Sequence, residues 1–144
     1  MQSFVRLLLA LVALAPLAGC PTGDDDDSSA INCTSDNRPT LVITSPDNAL
    51  IVDPGTDVTW ALTVTDPDTD IADVLIELGD VSDSTWNGLD ITVPVPNGNG
   101  QTTFTMSSDV LEEGSNVIRV RVTDPDGCTT NDQILLCLDT DTCP

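Results

Sequence analysis

After Arg38-Pro39 the apolar residues fall on every second position, in short runs, and this spacing persists to Leu138. The clearest run sets Val58, Trp60, Leu62 and Val64 against Thr59, Ala61, Thr63 and Thr65. Successive side chains of an extended strand point to opposite sides, so such a run has one apolar face to bury and one polar face to leave in water. The same alternation recurs in Val74, Ile76, Leu78, in Leu89, Ile91, Val93, Val95, in Phe104, Met106, in Ile118, Val120, Val122 and in Ile134, Leu136, Leu138. A first run at Leu41 to Thr44, continuing at Ala49 to Val52, brings the count to seven.

Turn chemistry separates the runs: Asp53-Pro54-Gly55, Asp66-Pro67-Asp68, Asn87-Gly88, Asn97-Gly98-Asn99-Gly100, Glu113-Gly114-Ser115-Asn116 and Asp124-Pro125-Asp126-Gly127. Proline fixes φ, and glycine or asparagine reaches left-handed backbone, so each cluster reverses the chain. Composition agrees, because the acid is aspartate 21 times and glutamate 3 times. Aspartate favours turns and caps, glutamate helix interiors. Seven half-buried strands imply an all-β domain whose sheets hide their apolar faces against each other. A closed barrel is the alternative.

Leu111, Gly114, Asn116, Ile118, Val120, Val122, Thr123, Asp124 and Gly127 resemble the closing strands of bacterial immunoglobulin-like domains, and Ile43-Thr44-Ser45-Pro46 resembles their opening strand and turn. The resemblance spans roughly residues 38–138 and implies a seven-stranded immunoglobulin-like β-sandwich. It implies nothing about a ligand, since such folds host many functions. The chain departs from the pattern in having no tyrosine for the corner hydrogen bond and in carrying Trp60 on its second run.

The beginning of the chain has a different grammar. Met1 to Arg6 carries one basic side chain, and Leu7 to Leu17 is apolar apart from Pro16. That run is shorter than the roughly 20 residues a membrane-crossing helix needs, and its form is that of a secretory signal. Leu17-Ala18-Gly19-Cys20 resembles the lipobox of bacterial lipoproteins. The resemblance implies cleavage before Cys20, a diacylglycerol on its sulfur and further acyl chains such as palmitate. Several chains hold a protein on a membrane where one does so only marginally. Pro21 stands where an aspartate would favour the inner membrane, so the outer membrane is expected. The expected organisation is therefore a signal over 1–19, a lipidated Cys20 with a flexible acidic linker over 20–37, and a sandwich with a cysteine-containing tail over 38–144.

The part after residue 19 holds all 24 acidic residues against Arg38, Arg119 and Arg121, a net charge of 3 minus 24, or −21. Such a field repels nucleic acid and favours solubility and cations. The run Asp24 to Asp27 makes the linker self-repelling. With no lysine, histidine or tyrosine in the chain, Ser-His-Asp and Cys-His catalysis and histidine metal sites are excluded, and proton transfer is left to carboxylates.

Apart from Cys20, four cysteines remain, and an even number in an exported chain reads as two disulfides with three possible pairings. If seven strands alternate in direction, the approach to the first strand and the loops after the second, fourth and sixth share one end. Cys33 and Cys128 belong to that end, while Cys137, out of phase with Ile134, Leu136 and Leu138, points outward near the tail that carries Cys143. The expected pairs are Cys33 with Cys128 and Cys137 with Cys143. The first closes a loop of about 95 residues, worth about 4 kcal/mol by chain entropy.

The same parity brings Asp66, Asp68 and Asp70 to one end with Asp124 and Asp126. Carboxylates at alternate positions suit calcium, which takes six to eight oxygen ligands. The competing reading is rigid, solvated Asp-Pro-Asp turns. Trp86, in the connection after the third run, is a candidate ligand contact, since an aromatic can stack on a sugar or anchor a partner; alternatively it caps the core. The sequence thus points to a tethered non-catalytic binding or structural module of the cell envelope, with an envelope protein or glycan as partner. Calcium-dependent adhesion is a variant of that reading, and a carboxylate-only glycan hydrolase is the competing class.

Overall fold

In a computed structural model that describes residues 32–144, the alternating runs become strands β1 (Thr40–Ser45), β2 (Leu50–Val52), β3 (Asp57–Thr65), β4 (Leu75–Asp80), β5 (Asn87–Gly88), β6 (Gln101–Ser107), β7 (Gly114–Thr123) and β8 (Thr129–Leu138). They form two sheets in the orders β1-β3-β6 and β2-β8-β7-β4-β5. Every pairing is antiparallel except that of β2 with β8. This is an immunoglobulin-like β-sandwich.

The core is what the period-two pattern requires. Val58, Trp60, Leu62 and Val64 of β3 face Ile118, Val120 and Val122 of β7 and Leu136 of β8 across the sandwich, all buried. Trp60 pairs in register with Phe104, and their rings stack 6° from parallel with centroids 6.1 Å apart. Asn116 takes a core position yet is satisfied: its side chain accepts from Glu112 N and donates to Glu112 O and Gly114 O, clipping the β6–β7 loop.

Two expectations about strands are revised. The first run divides at Ser45-Pro46: β1 stays on the three-stranded sheet and β2 crosses to the other, beside β8. The run Leu89 to Val95 makes no ladder, and its strand is reduced to β5, where a turn was expected. Pro94 and Pro96 remove two amide donors from that stretch, so it cannot pair as an inner strand. Leu89, Ile91 and Val93 still pack against the core, but Val95 is 65% exposed. Because this stretch still traverses the sandwich, the alternation of direction survives.

The entrance end gathers the approach to β1, the β3–β4 loop, the Asn97–Gly100 turn and the β7–β8 loop. The far end carries the loops after β2, β4 and β6 and the tail. Each end has a disulfide. Cys33 is bonded to Cys128 across 95 residues at the entrance, and Cys137 to Cys143 across 6 at the far end. Cys33 thereby fastens the last part of the acidic stretch to the domain, where Thr34 N also donates to Asn37 Oδ1. Cys137 lies on the outward phase of β8, as expected, but is buried. Cys20, the leader and Asp24 to Asp27 lie outside the described residues.

Candidate functional site

At the entrance end, Asp66 directly follows β3 of one sheet and Asp124 directly follows β7 of the other. Asp66 Oδ1 accepts from Asp68 N at 3.2 Å and from Thr69 N at 3.1 Å, folding the Asp-Pro-Asp turn over its own side chain. Asp124 Oδ1 accepts from Cys128 N at 2.8 Å, and its main chain exchanges a further bond with Cys128 and accepts from Gly127 N. Asp124 is only 4% exposed. The second carboxylate oxygen of both residues is buried without a hydrogen-bond partner.

Asp68 and Asp126 lie on the solvent side of this pair. The Asp68 carboxyl is pushed above its ordinary value, first because its protonated form can donate to Asp66, then by partial loss of water and by the charges of Asp66, Asp126 and Asp124. The four carboxylates therefore share one electrostatic neighbourhood. Asp70 does not join them in the same role: its Oδ1 accepts from Ala72 N and caps the short 3-10 turn Ile71–Asp73. Among the described residues no three acidic or cysteine side chains form a ready-made metal-ligand set.

Trp86 does not cap the core. Its indole lies against Gly79 on the outer face of the five-stranded sheet, so close that a Cβ at residue 79 would stand 2.8 Å from the ring. The Arg121 guanidinium sits over the ring, 4.4 Å from its centroid, and pairs with Glu77 Oε2 at 2.8 Å. Arg119 makes a matching fork to Gln133. The ring covers the outer sheet, remote from the core and from the entrance acids. Glu77 and Arg121 were not singled out by sequence reasoning. The available signal was Gly79, because a glycine inside a strand pattern marks a close approach.

Among the described residues no helix is long and apolar enough to cross a membrane. No family model and no curated protein matches the chain. Solved structures do. An endo-β-1,4-mannanase from Thermotoga petrophila is 13% identical, with a TM-score of 0.53 over 72% of this chain and 20% of that one. The fibronectin(III)-like modules of Clostridium thermocellum CbhA are 17% identical, with a TM-score of 0.52 over 71% of this chain and 47% of theirs. This chain thus spans about a fifth of the enzyme and about half of the CbhA modules, and at these identities the likeness is one of fold.

Proposed function

We propose that this protein is a non-catalytic binding or structural module of a bacterial envelope, held by acyl chains on Cys20 outside the cytoplasm, the outer membrane being the expected site. The observation that carries the reading is the sandwich itself, closed in this chain by two disulfides and similar in fold to the CbhA fibronectin(III)-like modules. Two disulfides suit an oxidising compartment. The stretch from Cys20 to Cys33 reaches at most roughly 45 Å. A tether there would leave the entrance end towards the membrane, and the far-end loops and the outer sheet faces would be presented to an envelope protein or a glycan.

The hydrolase reading loses ground on geometry. Asp66 Oδ1 is taken up by the amides of Asp68 and Thr69, and Asp124 Oδ1 by that of Cys128. The other loop acids serve their own loops, as Asp80 does for Ser82 and Asp83 for Thr85.

The test is fractionation of cells expressing the full chain and its Cys20→Ala variant, with mass spectrometry of the mature terminus. The reading expects an acylated residue 20, membrane association that the variant loses, and a partner retained on native membranes. An unmodified terminus, or protein free in the medium, would refute the anchor.

A further inference from the structure

β1 and β2 belong to different sheets, and where the chain passes from one to the other it leaves part of β3 bare. β1 pairs with β3 only from Ala61 to Thr65, whereas β6 pairs with it from Asp57 onward. On the β1 side, no strand among the described residues pairs with Asp57, Val58 or Thr59. Thr56 is turned towards β6, where its carbonyl accepts from Ser108 N and its amide donates to Ser108 Oγ. Backbone groups alternate in direction along a strand, so those of Asp57 and Thr59 point the other way, into the lane that β1 has left. The hydroxyls of β1 confirm the direction: Thr44 Oγ1 donates to Ala61 O and Ser45 Oγ to Thr59 O, each at 3.0 Å.

The vacated lane is a groove of about 400 Å³. β3 lines it with buried Val58, and β2 lines it with Leu50 and Ile51, which are 37% and 45% exposed. Asp47, Asp53 and Asp57 also line it, all three exposed, and no basic side chain does. We infer that this lane accepts an extended segment of a partner protein, with an apolar side chain against Leu50 and Ile51 and arginine or lysine at its ends to meet the three aspartates. Unpaired amides and carbonyls at a sheet edge bind such a segment by strand addition, and the side chains beside the edge select which one. Charge decides the partner. A second copy brought edge to edge would set Asp47, Asp53 and Asp57 against themselves, and the run Asp24 to Asp27 is repelled for the same reason. The inference deepens the reading of the domain as a binding module by naming the partner's chemistry, and it is separable from the anchor because its test uses no membrane.

The test is fluorescence anisotropy of the full chain with a labelled peptide, Arg-Val-Thr-Val-Arg, capped at both ends, beside its Glu-Val-Thr-Val-Glu counterpart. The expected dissociation constant for the first is on the order of 10⁻⁴ M, with no binding of the second. Two further analogues are N-methylated, one at the threonine and one at both valines. Only alternate amides of an added strand face β3, so one analogue should bind about tenfold more weakly and the other nearly as the parent. Asp47→Asn, Asp53→Asn and Asp57→Asn together should weaken the arginine peptide about tenfold. Hydrogen exchange should show the Asp57 and Thr59 amides slowed by the bound peptide. The methylated analogues leave the protein untouched, so they decide the matter even if the triple variant does not fold. No binding at about 2 mM peptide would overturn the inference. So would equal affinities of the parent peptide and both analogues, which would mean attraction to a generally acidic chain, or protection of another edge in place of Asp57 and Thr59.

Discussion

At the far end of the sandwich Asp80 accepts from the amide and hydroxyl of Ser82, and Asp83 accepts from the amide and hydroxyl of Thr85 and from Asn87. At the entrance end Asp66 and Asp124 accept backbone amides with one oxygen and bury the other with no donor. The difference is written two residues on. Asp80 and Asp83 are followed there by a serine and a threonine, which bring a hydroxyl; Asp66 and Asp124 are followed by proline, which brings no amide, and then by another aspartate, which brings a charge. The hydroxyl loops satisfy their aspartates within themselves, while the Asp-Pro-Asp loops bury one carboxylate oxygen without a donor.

The two ends also differ in how they are locked, and this gives the largest expected effect. Replacing Cys33 and Cys128 by serine should cost about 4 to 5 kcal/mol, because the bond closes 95 residues; replacing Cys137 and Cys143 should cost about 2 kcal/mol, because theirs closes 6. Urea unfolding of the two double variants measures both. Equal losses would mean that chain entropy does not rank the ends.

A second contrast uses two left-handed glycines. Gly55, at the far end, has φ +73° and nothing within 4 Å of an added Cβ, whereas Gly100, at the entrance, has φ +75° and would place that Cβ 1.9 Å from Val64 O. Gly100 O also accepts from Val64 N at 2.8 Å. Gly55→Ala should therefore cost about 1 kcal/mol, the conformational penalty alone. Gly100→Ala adds a backbone collision and should cost about 3 kcal/mol. If thermal melts find the two equal, the entrance turn is free to move away from β3.

Strand placement was legible because burial and period-two spacing are the same fact seen from two sides. Strand parity was legible too: it puts Cys33 and Cys128 at one end, and the structure joins them. Leu89 to Val95 misled because apolar spacing reports which side chains are buried and not whether the backbone can pair; the prolines at 94 and 96 carried that information. The surroundings of Trp86 were hidden for another reason. Its resting place is decided by Gly79 and Arg121, on strands that meet only in the fold. The aspartates were visible as a group, yet Asp70 and Asp66 look alike in sequence, and only the cap on Ala72 separates their roles.

The smallest effect is also the most direct comparison of the two kinds of aspartate, since it has opposite signs at the two ends. The Asp68 carboxyl is raised, first because its protonated form can donate to Asp66, so that form is favoured in the folded state. Its contribution is fully present below the ordinary aspartate value of 3.8 and is lost as pH rises through the higher folded value. The Asp83 carboxyl is lowered, first by the Thr85 hydroxyl and then by the Thr85 amide, so its contribution is present above 3.8 and lost as pH falls through the depressed folded value. Acidification from neutrality should therefore release the Asp68 penalty before it begins to remove the Asp83 benefit. Melting curves of Asp68→Asn and Asp83→Asn against the parent isolate each from the other acids. Asp68→Asn should remove a gain that appears on the way down to 3.8, and Asp83→Asn a loss that appears below it. If Asp68→Asn leaves the curve parallel to the parent's throughout, the carboxylates at the entrance do not face one another, and the oxygens of Asp66 and Asp124 must be satisfied separately.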